Sequence, residues 1–301
     1  MSANASTKVI IAALIGNTAI SITKFFAAFT TGSSAMMSEG IHSLVDTGNQ
    51  VLLLYGMKQA KKPADEEFPF GHGKEIYFWS FVVAILIFAV GSGVSIYEGV
   101  HHVITPATIE NPMVNYIVLS LALLFEGAAW FFAFKEFGKV KGQRGYIEAV
   151  KRGKDPSMFV VLFEDSAAML GLLIALLGIW LTQVTGIAVF DGIASIMIGL
   201  ILGGTAIWLA VETKGLLIGE GANRSVIASI RKITESFDEV EKVNELLTMH
   251  MGPEFILVNI SIRFSRGQLT REIEAVIQEI DSAIKAEHAM VKRVFVEAEP
   301  A

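Results

Sequence analysis

The nine residues from Ser38 to Asp46 carry Glu39, His42 and Asp46 in a segment otherwise apolar enough to cross a membrane. At ~100° per residue these positions fall within an arc of roughly 60°, so a helix would present them on one stripe. An ionisable group at bilayer depth costs roughly 2.5 to 3.5 kcal/mol or more, so a cluster of them marks a polar pathway rather than a lipid-facing surface. Imidazole and carboxylate together form a donor set for a divalent cation. Such ligands must shed protons to hold metal, so metal and proton compete for one site. This is the chemistry of ion transport.

The elements that must position these groups follow from length and apolarity. A hydrocarbon core of ~30 Å needs about 20 apolar residues per helix, and that ruler finds spans near 8–31, 33–56, 76–101, 112–136, 157–183 and 188–213. The 57–75 connection carries Lys58, Lys61, Lys62 and Lys74, and the 135–156 connection carries Lys135, Lys139, Lys141, Arg144, Lys151, Arg152 and Lys154. The turns near 32, 102–111 and 184–187 carry no Lys or Arg, so both termini are expected in the cytoplasm. The first apolar run follows a small, polar stretch with no cleavage pattern after it, and is expected to be a retained helix rather than a signal peptide. With this topology, His42 and Asp46 sit roughly 14 and 20 Å below the outer boundary, and Glu164 and Asp165 of the fifth span roughly 11 to 12 Å above the inner one. The two pairs are therefore expected at one depth.

Composition agrees. The chain has 301 residues, 52% hydrophobic and only 18% charged, and a mean hydropathy of +0.54, which excludes an ordinary soluble protein and reads as a multi-pass membrane protein in contact with lipid. The absence of cysteine excludes thiolate metal sites, iron-sulfur clusters and disulfides, leaving His, Asp and Glu as strong ligands. A net charge of -6 argues against nucleic acid as a partner. The donor set suits four-coordinate zinc first, with cobalt, iron and manganese admitted because affinity alone does not separate them.

From about Leu216 the composition becomes that of a soluble domain, which places the boundary between 1–215 and 216–301. Val226, Ile230, Ile233 and Phe237 recur at helical spacing behind Ser225, and Ile273, Ile277, Ile280 and Ile284 behind Thr270. Ile256, Val258, Ile260 and Ile262 alternate with polar or outward residues as a half-buried strand does. With strands near 241–248 and 292–298 and a turn at Gly252-Pro253, the order is α-β-β-α-β: a small α+β, ferredoxin- or metallochaperone-like domain.

Thr31-Gly32-Ser33, Ser43-Leu44-Val45-Asp46, the string Phe70-Gly71-His72-Gly73-Lys74-Glu75 and Asp191-Gly192-Ile193-Ala194-Ser195 together resemble the cation diffusion facilitator family of divalent metal/proton antiporters. The resemblance runs through nearly the whole chain. It implies a homodimeric exporter in a bacterial cytoplasmic (inner) membrane, not an enzyme and without a resident cofactor, working by alternating access. It also implies an ion held between the second and fifth helices by two residues from each. His42 and Asp46 match the second-helix pair. On the fifth helix the family commonly has His-x-x-x-Asp. If Asp165 is that aspartate, Val161 stands at the histidine position and Glu164 lies beside it. This harder ligand set weakens exclusivity for zinc, and Glu39 is a candidate for the missing ligand.

The family's secondary sites transfer in part. The loop keeps His72 with Asp65 upstream, a candidate loop site, but Phe68 stands at another histidine position; in the C-terminal domain Asn244, Glu297 and Glu299 fall near the usual histidines. Weak or absent metal binding is expected there, with His250 a candidate substitute and no structural ion needed for folding.

Plainer roles compete with each assignment. His42 and Glu164 could serve helix packing, Glu39 a negative vestibule, and His72 a loop turn. Lys24, Asn17, Glu98 and Glu126 are read as interhelical ion pairs or hydrogen bonds, and His101 and His102 as surface residues beside an outer turn. An intramembrane metalloenzyme is disfavoured because the chain lacks His-Glu-x-x-His or a nucleophile-base arrangement. A passive cation channel is disfavoured because polydentate ligation slows release.

Overall fold

The computed structural model describes residues 3–109, 111–141, 145, 146, 149 and 156–299. Six long helices come first: α1 (Ala3–Thr31), α2 (Ser34–Gln59), α3 (Glu75–Ile104, with a π-helical turn at Ile87–Ser92), α4 (Pro112–Lys141), α5 (Pro156–Thr185) and α6 (Val189–Ile218). Each contains one of the apolar runs. Among the described residues, Glu75–Ile104, Pro112–Lys135, Phe159–Thr185 and Val189–Ile218 are long and apolar enough to cross a membrane. The sequence ruler counts six spans and this criterion four. Helix α2 falls below it because Glu39, His42, Asp46, Asn49 and Gln50 dilute its apolar character.

The chain divides into two units, the first holding most of the helical bundle. Within it, Gly32 takes φ +72°, the left-handed conformation that ends a helix at low cost, and α2 starts almost at once. Asp191 at the start of α6 caps that start: its Oδ1 accepts from Ser33 Oγ at 2.7 Å, and its Oδ2 accepts the Ser34 and Ala35 N–H groups. A carboxylate at a helix N-terminus satisfies orphan donors and complements the dipole. One turn on, the Ser38 and Ser195 hydroxyls are in hydrogen-bond contact, and Ser195 Oγ donates to the Ser95 carbonyl of α3 at 2.9 Å. Gly99 and Gly192 let the α3 and α6 backbones approach, since a Cβ on either would lie within 3 Å of the other's carbonyl oxygen. The Asp191-Gly192-Ile193-Ala194-Ser195 motif thus holds α2 against α3 and α6.

The second unit joins Met57–Tyr77 with Lys214–Ala301, so the 57–77 connection groups with the C-terminal domain instead of with residues 1–215. Gly73 in it has a structural reason: a Cβ there would collide with the Met251 carbonyl, while Phe70 meets Phe295 edge-on at 6.4 Å. The rest of the unit is α7 (Arg224–Thr234), β1 (Val240–Gly252), β2 (Phe255–Phe264), α8 (Thr270–Glu287) and β3 (Val291–Ala298). The sheet order is β1-β2-β3, with β2 antiparallel to β1 and parallel to β3. The α-β-β-α-β order expected from the sequence is therefore observed.

Ile256, Val258, Ile260 and Ile262 of central β2 are at most 3% exposed and pack on Ile230 of α7 and on Val276, Ile280 and Ile284 of α8. Each such side chain gains roughly 1.5 to 3 kcal/mol on burial. The helix starts differ slightly from expectation. Asn223 rather than Ser225 precedes α7, and α8 is capped by Glu272, whose carboxylate accepts the Leu269 N–H at 2.9 Å, and not by Thr270.

Candidate metal-transport site

Helices α2 and α5 carry the acidic residues singled out from the sequence, and α4 packs against both α5 and α1. A cavity of about 230 Å³ opens among α1, α2, α4 and α5. Asp46 and Gln50 of α2, Glu126 of α4, and Val161, Glu164 and Asp165 of α5 line it, with Asn17 of α1. Glu164 is 5% exposed and accepts from Asn49 Nδ2 at 2.5 Å. Asp46 and Glu164 together form part of the cavity wall. His42 lies behind this wall, 1% exposed, with Nδ1 3.4 Å from Asp46 Oδ1 and no hydrogen-bond partner for either ring nitrogen among the described residues. It does not line the cavity.

So Asp46, Glu164 and Asp165 share one cavity and His42 touches its edge through Asp46. No three His, Asp or Glu side chains among the described residues are close enough together to hold an ion in this conformation. Inner-sphere ligation therefore requires these side chains to come closer together, and without that the contact would run through water. Val161, expected at the family's histidine position if Asp165 is its aspartate, lines the cavity and offers no ligand atom.

Glu39 is engaged elsewhere. Lys24, fully buried, places Nζ 3.0 Å from Glu39 Oε2, 2.8 Å from Ser43 Oγ and 2.8 Å from Glu126 Oε1. The interhelical ion pairing expected of Lys24 and Glu126 is present. The Cβ that Gly171 of α5 lacks would strike Glu39 Oε1, so the glycine makes room for the acid. Sequence reading did not foresee that Glu126 also lines the cavity, nor that Asn49 holds Glu164. The second had a signal: residue 49 continues the stripe 39, 42, 46 at helical spacing.

His102 departs from its reading as a surface residue. It is 7% exposed, with Nε2 3.7 Å from Asp191 Oδ2, because its face of α3 packs on the start of α6. His101 is exposed as expected.

Outside the bundle, His72 Nε2 lies 2.9 Å from Asp65 Oδ2, and Asp65 Oδ1 accepts the Phe68 N–H at 2.7 Å. The bond to His72, aided by that N–H, holds the Asp65 carboxyl below the usual aspartate range. Phe68 packs its ring on the His72 ring at 4.5 Å. In the C-terminal domain Ser261 Oγ bridges Asn244 and Glu299, while Glu297 accepts from Asn259 at 3.0 Å. His250 is 1% exposed within the sheet.

The chain is similar to the mitochondrial proton-coupled zinc antiporter SLC30A9 of Xenopus laevis, 32% identical over 93% of this chain and 52% of that protein. It is similar to metal tolerance protein C4 of Arabidopsis thaliana, 32% identical over 82% of this chain and 54% of that protein. The chain thus spans about half the length of these two relatives. The manganese efflux system protein MneP of Bacillus subtilis is 21% identical over 98% of this chain and 96% of its own. Residues 10–218, most of the chain, match the model of the cation efflux transmembrane domain, and the protein is therefore an integral, multi-pass member of the cation diffusion facilitator family.

Proposed function

We propose that the protein exports a divalent metal cation by alternating access in exchange for protons, with zinc the first substrate. The observation that carries this reading is the meeting of Asp46 from α2 with Glu164 and Asp165 from α5 on one cavity, with His42 one helical turn from Asp46. The ion enters from the cytoplasm, displaces protons held by the site acids, and is held by Asp46, Glu164 and Asp165 with His42. Reprotonation after the cavity opens to the other side releases it. Relatives named for zinc antiport and manganese efflux support the ion class. We read the working unit as a homodimer with six spans per chain and both termini on the cytoplasmic side, as the Lys- and Arg-rich connections favour. The setting proposed is a bacterial cytoplasmic membrane, and the C-terminal domain is taken as ferredoxin-like.

Manganese is the second reading, favoured by Val161 in place of a histidine and by the carboxylate majority in the cavity. Proteoliposomes with an imposed pH gradient, tested with zinc, manganese, iron and cobalt, decide both questions. Flux that follows the gradient and reverses with it is expected. Flux indifferent to the gradient would replace the antiporter with a passive cation pathway.

A further inference from the structure

Glu126 has two carboxylate oxygens with different surroundings. Oε1 receives the Lys24 ammonium at 2.8 Å, while Oε2 is buried with no hydrogen-bond partner among the described residues. The side chain is 17% exposed, and its residue lines the cavity shared by Asp46, Glu164 and Asp165. A buried carboxylate oxygen without a donor is costly. Beside three other acids, a cation is the partner that removes that cost.

We propose that Glu126, tethered by Lys24, is a further ligand for the transported ion and admits oxygen-preferring ions of the manganese class alongside zinc. This rests on the transport reading above. The tether is fully used: the three ammonium protons of Lys24 go to Glu39, Ser43 and Glu126. Lys24 therefore fixes one oxygen of Glu126 and leaves the other to turn toward the cavity. Glu39 shares the lysine but not the cavity lining, its second oxygen facing Gly171.

Coordination number gives the consequence. Zinc is satisfied by four ligands, whereas manganese takes an octahedral, oxygen-rich shell. His42, Asp46, Glu164 and Asp165 are four groups. Glu126 adds an oxygen beyond that count, and the cavity volume leaves room for water to complete the shell. Lys24 also limits the charge: it compensates Glu39 and Glu126 when the ion is absent, so the extra acid does not have to be buried unpaired.

The test is the ratio of manganese to zinc initial rates in proteoliposomes for the wild-type protein, Glu126→Gln and Glu39→Gln. The glutamine at 126 keeps an oxygen for Lys24 and removes the anionic ligand, so the ratio should fall about tenfold, the lower end of what loss of a supporting group costs metal sites. Glu39→Gln should leave the ratio at its wild-type value even where both rates fall, because a structural defect moves the two ions together. An unchanged ratio in Glu126→Gln, an equal drop in Glu39→Gln, or wild-type protein that moves zinc but not manganese would overturn the proposal. Wild-type protein that moves no divalent ion would instead overturn the transport reading and this inference with it.

Discussion

Replacing Asp191 should damage transport from a distance. Its carboxylate accepts from Ser33 Oγ, Ser34 N–H and Ala35 N–H at the start of α2, in a fully buried setting. Asp191→Ala removes every one of these acceptors. A lost cap costs about 1 kcal/mol, and each buried donor left without a partner costs about 1 to 3 kcal/mol. The Ser33 hydroxyl and the Ser34 and Ala35 N–H groups are three such donors, so the total expected is at least about 3 kcal/mol. Asp191→Asn keeps a carbonyl acceptor and loses the charge at the helix end, which is worth about 0.3 to 1 kcal/mol. Asp46 lies about 18 Å along the axis from Ser34, and α2 is a rigid rod between them, so a shift at its start moves the ligand wall. Supporting groups of metal sites typically contribute about 10- to 100-fold, and zinc flux in Asp191→Ala should fall into that range. Unfolding in mixed detergent micelles and proteoliposome flux should both rank wild type above Asp191→Asn above Asp191→Ala. Wild-type stability and flux in Asp191→Ala would refute the capping argument. So would an asparagine variant worse than the alanine one, since the acceptor count would then not matter.

Asp46→Ala and Asp165→Ala should each abolish zinc flux while the protein elutes as the same species as wild type in gel filtration, because a carboxylate ligand is lost without opening a core cavity; residual flux above a tenth of wild type would count against either ligand. Ile260→Ala, at the fully buried centre of β2, should destabilise the C-terminal domain by about 2 to 5 kcal/mol in chemical unfolding. The Asp65 carboxyl is held low by His72 and the Phe68 N–H, so its contribution is present above the ordinary aspartate range and is lost as pH falls through the lowered folded value. Infrared titration of the Asp65 carboxyl in His72→Ala should move back up toward the ordinary value, and an unmoved titration would show that the histidine is not the cause.

What could be read from the chain depended on whether the deciding contact was local. The stripe of Glu39, His42 and Asp46 is a property of one helix, and the alternation of Ile256 to Ile262 of one strand, so spacing alone exposed both. The glycines of the Phe70 to Lys74 string were visible as a motif, but the reason for Gly73, the close pass of Met251 and Gly252, joins segments nearly 180 residues apart. The same limit hid the pairing of Asp191 with the start of α2 and the burial of His102, which depend on how α2, α3 and α6 are stacked. Periodicity tells which face of a helix is polar and not which helix that face meets.

Lys24 and Glu126 show the consequence most directly. Each read as an isolated polar group needing a partner, and an ion pair was the natural expectation for both. A partner for Lys24 is forced by burial, but burial alone does not choose among Glu39, Glu126 and the site carboxylates. The packing of α4 against α1 and α5 makes that choice, giving the lysine Glu39 and one oxygen of Glu126 and leaving Asp46, Glu164 and Asp165 without a fixed cation among the described residues. A transporter needs this division. Acids matched to a lysine through both oxygens would have no affinity left for a passing ion, and acids with no compensation at all could not be buried together.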